Sequence, residues 1–261
     1  MFDYHMHSKV SYDSNGEPLA MVQAAREAGL KEICFTDHMD PDIKSLFEVT
    51  VYQAETYLDT YRNLSAPDLK IRFGMEFGLK TDNKGRLQEE LSHIPYDFVL
   101  GSVHATEGVD IYFPQYWEGK TLHDAYRIYL ENTLACVEVH DDYDVLGHLT
   151  YAAKCPGSPN NQLIRLADWQ EIGDEILKVL VKKGKGMEVN TSGIDRCGDF
   201  LPGADFLRRF KELGGEIVTV GSDAHGPDRI GKYIPQALEM LKDIFGHVCT
   251  FEGRKPVFHK L

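Results

Sequence analysis

The chain has 261 residues, is 43% apolar and 26% charged, and carries a formal net charge of −13. This length allows one large core, and the composition is that of an ordinary globular protein. A surface this acidic lacks the basic patch that nucleic acid or an anionic membrane requires, so neither is expected as a partner.

In chain order, FDYH at the start reads as a short strand, and LAMVQAAREAGL (19–30) as an amphipathic helix with Gly near its end. EICFTDH (32–38) is a short apolar run of the buried-strand type. VYQAETYLDTYRNL (51–64) has helical spacing, and IRFGMEFG (71–78) and DFVLGSVH (97–104) read as strands. A helix over LHDAYRIYLENTLACV (122–137), a strand over DVLGHL (144–149) and a helix over DWQEIGDEILKVLVKKG (168–184) follow. GMEVNTS (186–192), GADFLRRFKELGG (203–215), EIVTVGSD (216–223) and YIPQALEMLKDIFG (233–246) then read as strand, helix, strand, helix. About seven strands alternating with helices imply a parallel sheet covered by helices, and the continuous apolar runs suit strands buried on both faces. No repeat, low-complexity tract or linker interrupts the pattern, so residues 1–261 read as one domain.

The five cysteines, Cys34, Cys136, Cys155, Cys197 and Cys249, are odd in number and contain no C-x-x-C pair. They read as reduced thiols, neither a disulfide framework nor a thiolate zinc site. MFDYHMHSKV has no apolar signal-peptide core, and no run approaches the roughly 18 apolar residues of a membrane span. A cytoplasmic location is expected.

Most of the strand candidates end in metal-ligand residue types: His5 and His7, then Asp37 and His38, Glu76, His104, His148, and finally Asp223 with His225. In a β/α barrel the C-terminal strand ends converge on one face, which carries the active site; an open sheet would spread them along a line. A closed or nearly closed barrel is therefore the better reading. Residues two apart on an extended strand point the same way, so His5 and His7 can reach one metal, and Asp223 and His225 repeat the arrangement. A lone histidine is more often a hydrogen-bonded structural residue, and that reading goes to His93, His123, His140, His247 and His259. Asp37 should point away from its neighbour His38 and serve a structural role. Asp13, in a loop, has by spacing alone the look of a turn or capping aspartate.

Together these segments resemble the polymerase-and-histidinol-phosphatase (PHP) family. Its four motifs occur in order as DYHMHSKVSYDS (3–14), CFTDHMD (34–40), LGSVHATEG (100–108) with DVLGHLTY (144–151), and VGSDAHGPDRIG (221–231), with the strand glutamate in FGMEFG. MEVNTSGIDR (187–196) and the ending CTFEGRKPVFHKL look like the histidinol-phosphatase branch. The resemblance implies an α/β fold, a distorted (β/α)7 barrel, with three divalent metal ions (zinc, iron or manganese) at the C-terminal strand ends. It implies that His5, His7, Glu76 and Asp223 bind the first ion, that Glu76 bridges to a second held by His104 and His148, and that Asp13, His38 and His225 hold the third. Glu76, His104, Asp223 and His225 would be catalytic, and hydroxide generated by the metals would attack phosphorus. The implied partner is a small phosphorylated substrate, histidinol phosphate in histidine biosynthesis.

Two segments depart from the branch pattern. G-H-L-D-x-x-R-R is replaced by GHLTYAAKCP, which puts Thr150 at the aspartate and Lys154 near the arginine. N-T-S-G-L-R-K is replaced by NTSGIDRCG, which keeps an arginine, Arg196, one position later. Lys154 and Arg196 are the candidate phosphate clamp, and Glu107 or Asp110 could attract a cationic amine. These departures keep open another small phosphomonoester, or a phosphodiester such as a nucleotide. Amidohydrolase chemistry also uses barrel strand ends and H-x-H, but with a bridging lysine and without the T-D-H and S-D-A-H pattern. A metal-storage role would not need convergence at a barrel top.

Overall fold

In a computed structural model, residues 1–41, 43, 50–158 and 162–261 are described. Seven parallel strands form the central sheet: β1 (Phe2–Asp3), β2 (Glu32–Phe35), β3 (Lys70–Gly78), β4 (Phe98–Ser102), β5 (Val145–Leu146), β6 (Gly186–Asn190) and β7 (Val218–Gly221). Each strand pairs with the next in sequence, as short right-handed crossovers favour. The segment beyond β1 then meets β7 and its continuation: Tyr4 N donates to Val220 O at 2.9 Å, Asp223 N to His5 O at 2.8 Å, and His7 N to Ala224 O at 2.8 Å. The result is a nearly closed seven-stranded barrel jacketed by helices.

Strands β2, β4, β5, β6 and β7 are buried along their whole length, which explains their uninterrupted apolar runs. The run over 32–38 divides in the structure. After β2 the chain turns at Thr36–Asp37 and resumes as a two-residue strand, His38–Met39, paired with β3 in the register His38↔Glu76. That break delivers His38 to the side of Glu76.

Two elements go beyond the sequence reading. A helix spans Lys84–His93, where only Leu87 and Leu91 are apolar and Leu87 is fully buried. The C-terminus, where no strand was expected, forms an antiparallel hairpin, His247–Glu252 with Lys255–Lys260. Its two turn residues, Gly253 (φ 53°) and Arg254 (φ 65°), both have positive φ, as a two-residue hairpin of right-handed twist demands. The non-glycine member is held by its backbone N–H on Asp97 O (2.8 Å) and by its guanidinium on the Asp144 carboxylate. Asp97 and Asp144 precede β4 and β5, so the hairpin covers the N-terminal end of the barrel, opposite the strand ends that carry the histidines.

Under the hairpin, Tyr4, Cys34, Phe98, Leu100, Val145, Cys249 and Phe251 form a separate apolar cluster. The Tyr4 hydroxyl donates to Glu32 Oε1 at 2.6 Å and accepts from Phe251 N at 3.0 Å. Phe251 is 2% exposed and packs its ring 4.8 Å from that of Phe98. Phe251→Ala should therefore cost about 3–5 kcal/mol of stability, from lost burial plus a cavity. Denaturant unfolding measures this. Because the change lies at the far end of the barrel, the folded variant should keep its wild-type metal content.

Candidate metal centre

The nine residues implied as metal ligands come together at the C-terminal end of the barrel, and Asp37 stays outside the cluster. At the centre lies Glu76, fully buried on β3. Its Oε1 is 2.8 Å from His148 Nε2, 3.3 Å from His104 Nε2, and accepts from Ser102 Oγ at 2.6 Å. Its Oε2 faces ring nitrogens of His38, His5 and His7 at 3.0, 3.1 and 3.4 Å, yet accepts no hydrogen bond. His38 Nδ1 and His148 Nδ1 are likewise buried without a hydrogen-bond partner. His5 Nε2 and His7 Nε2 stand 3.0 Å apart.

The remaining donors ring this core. Asp223 Oδ1 is 3.6 Å from His5 Nε2 and 3.4 Å from His7 Nε2. Asp13 Oδ2 lies 3.1 Å from His225 Nε2 and 3.4 Å from His38 Nε2, so the loop aspartate does reach the cluster. Two of these residues sit in left-handed backbone, His148 at φ 21° and Asp223 at φ 54°. Such strain persists only where the surroundings over-determine it, and it gathers at functional sites.

A buried carboxylate oxygen that faces ring nitrogens with no hydrogen bond between them is costly unless a cation sits among them. Triads such as His5–His7–Asp223, His5–Glu76–His148 and His7–His38–His225 bring their donor atoms within 4.8 Å of one another. An imidazole and carboxylate set of this kind, without thiolate, suits a divalent transition metal, and the residues present fit that role.

The electrostatics agree. Burial would lift the Glu76 carboxyl, but His5, His104 and His38 hold it well below the usual range. Asp223 is likewise held well down, against burial, by Lys154 and His5. Burial works against a charge on His5 as well, but Glu188, Glu76 and Asp223 raise it well above the normal histidine value. His7 goes the other way: burial, then the charges of His38 and His225, push it well below. It therefore presents a neutral imidazole.

Residues not singled out in the sequence complete the centre. Glu188, on β6, lies 2.7 Å from His5 Nδ1 through Oε1, and its Oε2 accepts from His148 N at 2.9 Å. Gly221 makes room for this pair: a Cβ there would lie 2.3 Å from His5 Cβ and 2.4 Å from Glu188 Oε1. Asp40, fully buried, lies 2.8 Å from His104 Nδ1 and accepts from Tyr12 OH at 3.0 Å. Both carboxylates fix the ring nitrogen that faces away from the centre and so leave Nε2 to face inward. The signal for them was present: each is an acid in a buried run, M-E-V and H-M-D. Asp37 has the structural place expected for it, accepting from Ser8 N at 2.7 Å and Ser11 Oγ at 3.1 Å, and from the Tyr61 hydroxyl. His140, His247 and His259 are each hydrogen-bonded away from the centre.

A cavity of about 820 Å³ opens over the cluster. Lys154 and Arg196 line it, together with Asp110, Tyr112, Phe113 and Tyr151. Lys154 pairs with the Asp223 carboxylate and donates to Ser192 Oγ at 2.9 Å, whereas Arg196 makes no ion pair among the described residues. Asp110 is buried, and that burial pushes its carboxyl up to about 6. Glu107 sits at the exposed tip of a small hairpin and does not line the cavity.

A family model for the PHP domain matches residues 3–192. A histidinol-phosphatase of Lactococcus lactis subsp. lactis (strain IL1403) is 33% identical over 97% of this chain and 95% of its own length. A probable histidinol-phosphatase of Thermotoga maritima is 30% identical over the whole of both chains. Among solved structures, the L. lactis histidinol phosphate phosphatase complexed with zinc, L-histidinol and phosphate superposes with a TM-score of 0.89, at 32% identity over 98% of each chain. A putative histidinol phosphatase of Listeria monocytogenes shares the fold, with a TM-score of 0.73 at 19% identity, over 90% of this chain and 99% of that one. With a family model over most of its length and relatives at this identity from end to end, the chain belongs to the PHP family, in its histidinol-phosphatase branch.

Proposed function

We propose that the chain is a metal-dependent phosphomonoesterase that hydrolyses histidinol phosphate to histidinol and phosphate. The single observation that carries the reading is the orphaned, fully buried Glu76 Oε2, ringed by three imidazoles at the floor of a cavity with both cationic and acidic walls. The relatives named above, and the zinc, histidinol and phosphate held by one of them, support the same chemistry.

In this reading the centre would take three divalent ions, zinc, iron or manganese. His5, His7, Glu76 and Asp223 would hold one; Glu76, His104 and His148 the second; Asp13, His38 and His225 the third. The short contacts of Asp13 with His38 and His225, and of Glu76 with His104 and His148, support this partition. Bound ions supply Lewis-acid charge to the phosphoryl oxygens and lower the pKa of water from about 15.7 towards 7. The protein's own groups do the rest. Glu188 and Asp40 hold His5 and His104 in one orientation. Glu76, His104, Asp223 and His225 are the catalytic candidates: the last three line the cavity where the phosphoryl group would lie, and Glu76 would hold the ions from beneath. Lys154 and Arg196 stand on the cavity wall where phosphate oxygens would lie, Arg196 offering a two-pronged match. Asp110, beside Tyr112 and Phe113, gives the cationic end of histidinol a carboxylate and aromatic faces. Among the described residues no helix is long and apolar enough to cross a membrane, and a cytoplasmic place of action goes with this reading.

Chelation should abolish turnover, and added divalent metal should restore it. Glu76→Ala and His104→Ala should lose bound metal and most activity together; full activity at reduced metal content would sink the catalytic role of the centre. Glu188→Gln keeps the shape of the side chain but weakens its hold on His5. It should reduce metal affinity about 10–100-fold, read by metal titration. Turnover of histidinol phosphate is to be compared with a panel of other phosphomonoesters, phosphodiesters and amides. A kcat/KM for histidinol phosphate far below that for another ester would replace the substrate named here.

Asp110 gives a pH dependence. Its carboxyl, raised by burial to about 6, is neutral below that value and charged above it. Attraction of the substrate's ammonium is therefore present above about pH 6 and fades as pH falls through it. KM for histidinol phosphate should rise on acidification across this window. Asp110→Asn should raise KM at neutral pH and flatten that part of the profile.

A further inference from the structure

Beyond Lys154 and Arg196, the cavity rim carries two more cations, Arg229 and Lys232. They belong to the loop that follows the Asp223–His225 segment, so the chain that supplies two ligand candidates continues directly into them. Both turn to one carboxylate. Asp195 Oδ2 accepts from Lys232 Nζ at 2.8 Å and pairs with the Arg229 guanidinium, and Asp195 Oδ1 accepts from Tyr233 OH at 2.7 Å. Two cations on one anion leave a local surplus of positive charge. Their side chains are 29% and 38% exposed, open to a ligand in the cavity.

The backbone here is constrained. Tyr233 has φ 61°, a left-handed conformation that a tyrosine seldom adopts, and Thr191 Oγ1 donates to Lys232 O at 2.6 Å. A solvated surface ion pair has no need of such backbone. The sequence at Asp195 is also unusual, because NTSGIDRCG has an aspartate where the N-T-S-G-L-R-K pattern has its arginine. The anion at that position gathers two cations from the neighbouring loop.

We infer that Arg229 and Lys232, presented over the cavity by Asp195, bind the substrate's phosphate and are specificity-determining residues of this chain. The inference rests on the phosphate-ester reading but not on the identity of the alcohol. Phosphate offers several anionic oxygens, and an arginine and a lysine placed side by side can engage two of them while Asp195 still orients both side chains.

The test is product inhibition of the metal-loaded protein by inorganic phosphate, with whichever phosphomonoester it turns over. In the double variant Arg229→Gln with Lys232→Gln, inhibition by phosphate should weaken by about tenfold, the scale of one lost charge-assisted hydrogen bond. KM for the ester should rise by a similar factor, with the loss falling on KM far more than on kcat. Inhibition by the dephosphorylated alcohol should stay as in the wild type. Arg229→Lys, which keeps the charge, should retain most of the phosphate affinity. If the double variant does not fold, Lys232→Gln alone carries the measurement. An unchanged inhibition constant for phosphate in a folded variant overturns the inference, as does equal weakening towards phosphate and alcohol, which would mark a merely structural rim. Failure to turn over histidinol phosphate, with phosphate inhibition still sensitive to these residues, would instead overturn only the substrate named above.

Discussion

A carboxylate buried beyond the reach of water must find positive charge, and Glu76 meets that demand from the middle of a parallel strand. One oxygen is shared between Ser102 and two histidines; the other faces three more imidazoles without a hydrogen bond. Proteins rarely leave such an atom unpaired, because the desolvation it suffers is not recovered. The rest of the centre follows from this demand. Histidines arrive from five different segments because one strand end can present only one or two side chains. The barrel is the device that brings those ends within a few ångströms of each other.

Closure of the ring has its own requirement. β1 is only two residues long, and the chain beyond it reaches β7 and its continuation through backbone hydrogen bonds at Tyr4, His7 and Asp223. The same short stretch therefore both closes the barrel and carries His5 and His7. Gly221 is the point at which the two duties meet, since a side chain there would displace His5 and Glu188 together. At the opposite end, the hairpin around Phe251 and Arg254 stabilises the barrel without approaching the chemistry. Stability and reactivity are thus placed at opposite ends of one set of strands.

Much of this was legible in the sequence because a parallel strand buried on both faces is a continuous apolar run, and a ligand at its end stands out against it. His104 and His148 were visible for that reason. Asp13 was not, because nothing in a loop's spacing tells a ligand from a turn residue; its place beside His38 and His225 depends on how the loop folds back. Glu188 lay in full view inside M-E-V, but an acid in a strand shows no partner until β6 is set beside β5 and the first segment. The C-terminal hairpin escaped because its turn is Gly-Arg, and Arg254 tolerates a positive φ only through Asp97 and Asp144, more than a hundred residues away. The helix at Lys84–His93 offered too few apolar positions to set a period.

The cavity carries charge of both signs, and this is where its chemistry becomes selective. The cavity lining combines Asp110 and the rings of Tyr112 and Phe113 with the cations Lys154, Arg196, Arg229 and Lys232 and with several of the metal-ligand candidates. A ligand that is cationic at one end and anionic at the other can satisfy both signs at once. A simple dianion would leave Asp110 without a cation, and a simple amine would leave Arg196 without an anion. The chain's net charge of −13 repels anions in general, so an anionic ligand depends on local cations such as those that line this cavity. Discrimination by such a site comes as much from what it fails to neutralise in a wrong ligand as from what it contacts in the right one.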